Sequence, residues 1–250
     1  DALSADKSVW EEISGGLEEL ELGKRKVASR APRFVSTSGC RCGRRRPGSN
    51  VSALPRCLPG IKGVYMATAV RDRELSDRSF FPVYERCEAL GLPIFLHPMM
   101  INNERLKQYY LINLCGNPFD TAIAASHLIY GGVLDAFPKL EFSLPHAGGA
   151  LPGLRGRLDR GFYTRAECKT ISKPPSSYLK RFTYDTITYS EEQLEELIKL
   201  VGIDRIMVGS DYCFDIAYEE PVRFVHGVKS LTDAQKDQIL WSNAAKLLKL

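Results

Sequence analysis

An α/β fold with a parallel sheet is what this sequence predicts, and three observations carry the prediction. Apolar, β-rich runs recur from residue 63 onward, stretches of helical spacing separate them, and the runs are apolar nearly throughout. Strand and helix alternating at this spacing build right-handed βαβ units. Strands without a polar face belong to a sheet covered on both sides. The length of 250 residues suits a single domain spanning 1–250, and one α/β barrel of that size is ordinary.

The elements follow in order. The strands are GVYMATAV (63–70), PIFLH (93–97), KLEFSL (139–144), RFTYDTI (181–187) and RIMVGSD (205–211). Between the first two, SFFPVYERCEALG has helical spacing and a closing glycine. TAIAASHLIYGG is a second helix whose two final glycines suit a left-handed C-cap. SEEQLEELIKLVG opens on a Ser-x-x-Gln capping box at Ser190 and Gln193 and stops at Gly202. LTDAQKDQILWSNAAKLLKL opens on another box, at Thr232 and Gln235.

Composition narrows the class. An apolar fraction of 44% and a charged fraction of 26% are those of a soluble globular protein. No stretch approaches the roughly 18 apolar residues a membrane helix needs, so no membrane partner is expected. The opening DALSADKSVWEE lacks the basic-then-apolar pattern of a secretory leader. Seven cysteines, odd in number and scattered, do not form a disulfide framework, and reduced thiols point to a cytoplasmic location.

Residues 24–59 stand apart. They hold about ten Lys and Arg, no Asp or Glu, three of the seven cysteines, and no apolar periodicity. A basic arm for nucleic acid is one reading, but aromatics are missing apart from Phe34. A metal site at Cys40, Cys42 and Cys57 is another, but it lacks paired C-x₂-C spacing. The third, favoured here, is that the stretch does not match the fold around it.

Chemistry in parallel α/β folds gathers where strands end. Those ends hold His97 after PIFL, His146 after FSLP, Asp185 within TYDT and Asp211 after MVGS. Two of only four histidines therefore stand at strand ends. Imidazoles and a carboxylate converging at one mouth suit a divalent metal such as Zn²⁺ and a water. Each has a plain structural alternative: a hydrogen-bonded histidine, a glycine turn at Gly148 and Gly149, an N-cap at Asp211. His127 reads as a packed helix residue and His226 as a helix-end one. HAGGAL matches neither G-x-G-x-x-G nor a Walker loop.

PIFLHP, NPFDTAIAASHLIYGGVLDAFPKLEFSLPHAGGALPGLRGRLDRGF and IMVGSDYCF resemble the amidohydrolase-related family that includes aminocarboxymuconate semialdehyde decarboxylase. The resemblance runs from about Gly60 to the C-terminus, leaving 1–59 as an atypical segment. It implies a (β/α)8 TIM barrel with one divalent metal, usually zinc, and decarboxylation or hydrolysis of small carboxylic acids. By position it implies His97 as a metal ligand and His146 as the acid/base beside the metal's water. Asp211 is implied as both ligand and partner of that water. Arg157 matches an arginine that reaches across a homodimer to the substrate carboxylate, as a planar guanidinium does well. Phe214 matches an aromatic lining the pocket. Cys213 stands where the family has proline, and Ala147 where it has a third glycine.

The family's first strand carries a His-x-His pair, and this sequence has none. A second-strand arginine is not identifiable either. SVWEEISGGLEELELGKRKVASRAPRF reads as the helix before the third strand, with a capping box at Ser8 and Glu11, so strands one and two are expected to be absent. Residues 36–59 are expected to derive from a shifted reading frame. The leading expectation is a metal-dependent non-oxidative decarboxylase of a small unsaturated or aromatic carboxylic acid. Its competitors are a metal-dependent hydrolase of a lactone or amide, and a degenerate barrel without a full metal site.

Overall fold

The computed structural model describes residues 33–36, 61–70, 72–99, 101, 103–212 and 214–250. Its centre is a six-stranded sheet in the order β1 (Arg33–Ser36), β2 (Ile61–Ala67), β5 (Ile94–His97), β6 (Phe142–Leu144), β7 (Phe182–Asp185), β8 (Ile206–Met207). Every neighbouring pair is parallel. A small antiparallel ladder, β3 (Ala69–Val70) with β4 (Arg73–Glu74), follows β2. The expected α/β architecture is thus present, with six parallel strands among the described residues. A strand at Arg33–Ser36 lies inside the stretch expected to be irregular. The capping box at Ser8 and Glu11, the cysteines at 40, 42 and 57, and residues 37–59 lie outside the described residues.

Helices cover the outer face. They are α1 (Phe81–Leu90), α2 (Asn117–Tyr130), the short α3 (Val133–Ala136), α4 (Leu151–Thr164), α5 (Glu191–Val201), α6 (Pro221–Gly227), α7 (Asp233–Asp237) and α8 (Asn243–Leu248). Helix α1 starts at its Pro-bearing turn and ends on Gly91 in the left-handed region, φ 61. At α5 the Ser190 hydroxyl accepts from Gln193 N–H at 3.3 Å and donates to Glu192 at 2.7 Å. At α7 both arms of the Thr232–Gln235 box form. The π-helical turn Gln238–Ser242 then joins α7 to α8.

Helix α2 ends on the glycine pair, one of which is left-handed, as expected. Gly131 keeps a right-handed backbone, φ −72, and the left-handed glycine is Gly132, φ 70. A Cβ at Gly131 would lie 2.3 Å from Cβ of Ser76, so this glycine lets the loop after β4 press against the helix. The core lies between helices and sheet, where Phe80, Tyr84, Leu128, Ile129, Phe142, Phe182 and Tyr184 are fully buried. Phe142 and Phe182 are register partners on adjacent strands. Alternation then turns Ser143 and Thr183 to the opposite face, which sets the side on which the strand ends present their chemistry.

Candidate metal centre

His97 is the last residue of β5, and its imidazole is held on three sides. Nδ1 lies 2.9 Å from the carbonyl of Pro98. A carbonyl only accepts, so Nδ1 carries the proton and Nε2 presents its lone pair. Phe214 stacks on one side with ring centroids 5.5 Å apart and planes at 12°. Tyr65, from the middle of β2, stacks at 5.8 Å and 26°. Burial, and then the neighbouring His146 imidazole, hold His97 below the usual histidine value, against the opposite pull of the Pro98 carbonyl and Asp211. A neutral ring is what a cation needs.

His146 follows β6 across Pro145, and its segment is strained. His146 and Ala147 both have φ 54, in the left-handed region. Such a backbone costs a residue with a side chain about 1–2 kcal/mol. What holds it is Asp185 at the end of β7, whose carboxylate accepts the N–H groups of His146 at 3.0 Å, Ala147 at 2.7 Å and Ile187 at 3.0 Å. Hydrogen bonds to a charged acceptor contribute about 1.5–3 kcal/mol each, enough to offset the strain. Burial raises the Asp185 pKa from the ordinary carboxylate range, and the Ala147 N–H is the largest influence resisting it. The next two residues must be glycine: a Cβ at Gly148 would lie 2.7 Å from the Tyr184 ring, and one at Gly149 2.1 Å from the Pro118 carbonyl. The HAGG stretch is therefore a close-packed turn as well as a carrier of an imidazole.

Asp211, past the end of β8, is also left-handed, φ 57. Its Oδ1 lies 4.0 Å from His97 Nε2 and its Oδ2 3.8 Å from His146 Nε2. The ligand atoms of His97, His146 and Asp211 all lie within 4.8 Å of one another. Among the described residues this is the only group of three His, Cys, Asp or Glu side chains so disposed. His97 Nε2 and His146 Nδ1 are buried without a hydrogen-bond partner. A buried nitrogen lone pair facing a carboxylate fits a divalent cation, whose bonds of about 2 Å set ligands roughly 3–4 Å apart.

The structure thus brings together His97, His146, Asp211 and Phe214. It does not bring Arg157 to them: that residue is exposed on α4. A cavity of about 830 Å³ opens beside His146, and its lining includes Pro152, Arg155 and Tyr189 but not Arg157. His127 is half-buried rather than packed among apolar groups, with Nδ1 3.1 Å from Ser76 Oγ and Nε2 3.6 Å from Glu74. His226 sits in the last turn of α6, as expected. Two contributors had no assigned role: Asp185, visible only as a strand-end acid, and Tyr65, whose hydroxyl is pushed up to about 12 by burial and by Asp211.

The amidohydrolase family model matches residues 25–250, so the likeness begins well before Gly60, where it was expected to start. A 2-amino-3-carboxymuconate-6-semialdehyde decarboxylase of Dictyostelium discoideum is 33% identical over 207 residues, 81% of this chain and 58% of that protein. One of Caenorhabditis elegans is 30% identical over 229 residues, 78% of this chain and 57% of that protein. Among solved structures, 5-carboxyvanillate decarboxylase from Sphingomonas paucimobilis superposes with a TM-score of 0.68 at 27% identity, covering 76% of this chain and 59% of the other. The chain spans less than two thirds of the length of each of these proteins. By its matched length and by these identities, the chain belongs to the amidohydrolase family.

Proposed function

We propose that this chain carries the metal centre of a non-oxidative decarboxylase acting on a small unsaturated or aromatic carboxylic acid. The observation that carries the reading is the convergence of His97, His146 and Asp211 from three strand ends, with ligand atoms within 4.8 Å. The direction of the chemistry comes from the relatives, two of which bear the name of a carboxymuconate semialdehyde decarboxylase.

His97 Nε2 and Asp211 would hold a divalent cation, Zn²⁺ by preference for imidazole and carboxylate ligands. Such an ion, when bound, supplies Lewis acidity and brings the pKa of water towards neutrality. His146 Nε2, 3.8 Å from Asp211, is the acid/base. It delivers a proton to the substrate carbon, so that the bond to the carboxylate breaks and CO₂ leaves as a C–H bond forms, and it regains its proton from solvent. Phe214, stacked on His97, gives an unsaturated substrate an apolar wall. Arg157, exposed on α4, binds the substrate carboxylate of a partner copy, which makes the working unit a homodimer in a cytoplasm that keeps its thiols reduced.

The test supplies unsaturated and aromatic carboxylates to the protein with Zn²⁺ and follows CO₂ release beside acid release. One CO₂ per substrate consumed is the expected result. Acid release without CO₂ would make the enzyme a hydrolase, and neither product would overturn the reading.

A further inference from the structure

We infer that Asp185 is a positioning residue, the anchor that sets the aim of His146; this rests on the acid/base role proposed for His146. The geometry differs from an ordinary turn cap in two ways. First, the acceptor sits on a different strand from the turn it holds. Asp185 ends β7, and its carboxylate takes the N–H groups of His146 and Ala147, the two consecutive residues with side chains whose φ is 54. Left-handed backbone in non-glycine residues persists only where the surroundings over-determine it. Here the two N–H groups turned towards one carboxylate do so, and the third, from Ile187, fixes that carboxylate on its own strand.

Second, the same residue touches the segment that carries Asp211. A Cβ at Gly209 would lie 2.8 Å from Cβ of Asp185, so only glycine permits the approach. Beside it, the Thr186 hydroxyl accepts from Gly209 N–H at 3.2 Å and faces the Gly209 carbonyl at 3.5 Å. Asp185 therefore lies between the turn bearing His146 and the Gly209–Asp211 segment, whose side chains meet at 3.8 Å. Its carboxylate points at backbone N–H groups and touches no reacting atom. Loss of the anchor frees His146 to swing about Pro145, while His97, Phe214 and the cavity wall stay in place.

The experiment compares Asp185→Asn, Ala147→Gly and the double variant D185N/A147G. An amide keeps the volume but turns N–H towards N–H at one of the two sites. Glycine at 147 removes the steric cost that Asp185 offsets, so it relieves the need for the anchor. Two readouts are taken: kcat and KM for CO₂ release, and the imidazole ¹³Cε1 signal of His146, which is resolvable because the chain has four histidines. For D185N we expect kcat down by on the order of a hundredfold, the scale of a misplaced catalytic group, with KM within about threefold. The His146 signal broadens or splits, those of His127 and His226 do not move, and D185N/A147G recovers most of both changes. The imidazole readout needs no turnover, so it tests the anchor even if no CO₂ is ever released. An unchanged His146 signal in D185N overturns the inference, as does lowered thermal stability with kcat and KM of the folded fraction intact. If D185N alone fails to fold and the double variant folds, the anchor is supported; if neither folds, Asp185 serves the fold at large and the inference fails.

Discussion

Where the strands begin, polar side chains are paired with one another and with backbone. Asn243 donates to the carbonyls of Ile203 and Ile206 at 2.8 and 2.7 Å, Arg181 donates to the carbonyls of Leu134 and Pro138, and Arg205 meets Glu141 at 3.0 Å. The hydroxyl of Thr183 is buried without a partner. Where the strands finish, two imidazole nitrogens are buried without partners, and His146, Ala147 and Asp211 hold left-handed backbone. The same sheet is thus satisfied at one rim and strained at the other. Left-handed non-glycine residues and orphaned polar atoms cost free energy, and they persist where a function uses them. One rim contributes stability and the other spends part of it on a site.

Substitutions at each rim should therefore separate activity from stability. The largest effect is expected for His146→Ala, which removes the acid/base and lowers kcat by about 10²–10⁴-fold. Its zinc content and denaturant midpoint should stay those of the parent; loss of zinc would make His146 a ligand instead. Arg157→Ala sharpens the comparison from outside both rims. A lost charge-assisted hydrogen bond, about 1.5–3 kcal/mol, should raise KM for carboxylates by one or more orders of magnitude with kcat retained. An unchanged KM would remove Arg157 from substrate binding.

At the satisfied rim the signature should reverse. Asn243→Ala leaves two buried carbonyls without their donor, and urea unfolding should show a loss of about 1–3 kcal/mol while kcat per folded molecule holds. The smallest effect is a pH dependence at the strained rim. The His97 pKa is lowered by burial and by His146, so below the ordinary value of about 6.5 the unfolded chain binds more protons than the folded one. Stability of the metal-free protein should then fall as pH drops from above 6.5 towards the lower folded value, a slope that His97→Gln should flatten.

How much of this was legible in the sequence follows from what each feature depends on. His97, His146 and Asp211 could be found because a parallel sheet aligns all strand ends, whatever the side chains do. Gly148 and Gly149 announced a close approach, though only the fold shows that it is to Tyr184 and Pro118. Asp185 was visible as an acid at a strand end, but its purpose depends on the φ of two residues on another strand. Tyr65 gave no signal, since its place beside His97 depends on strand register, Ala67 pairing with His97. The two glycines closing α2 announced a left-handed residue, found at Gly132, but not that Gly131 is needed for a close approach to Ser76. β1 at Arg33–Ser36 is four residues long, too short to leave a periodic trace amid the surrounding Arg, Ser and Pro.

The central claim is that His97 and Asp211 form one cation site beside His146, and metal binding tests it without reference to substrate. Purified protein is loaded with Zn²⁺, dialysed, and analysed for metal beside His97→Ala and Asp211→Ala. The account predicts one zinc per parent chain and its loss from both variants. A parent chain that keeps no zinc, or variants that keep as much as the parent, would contradict it.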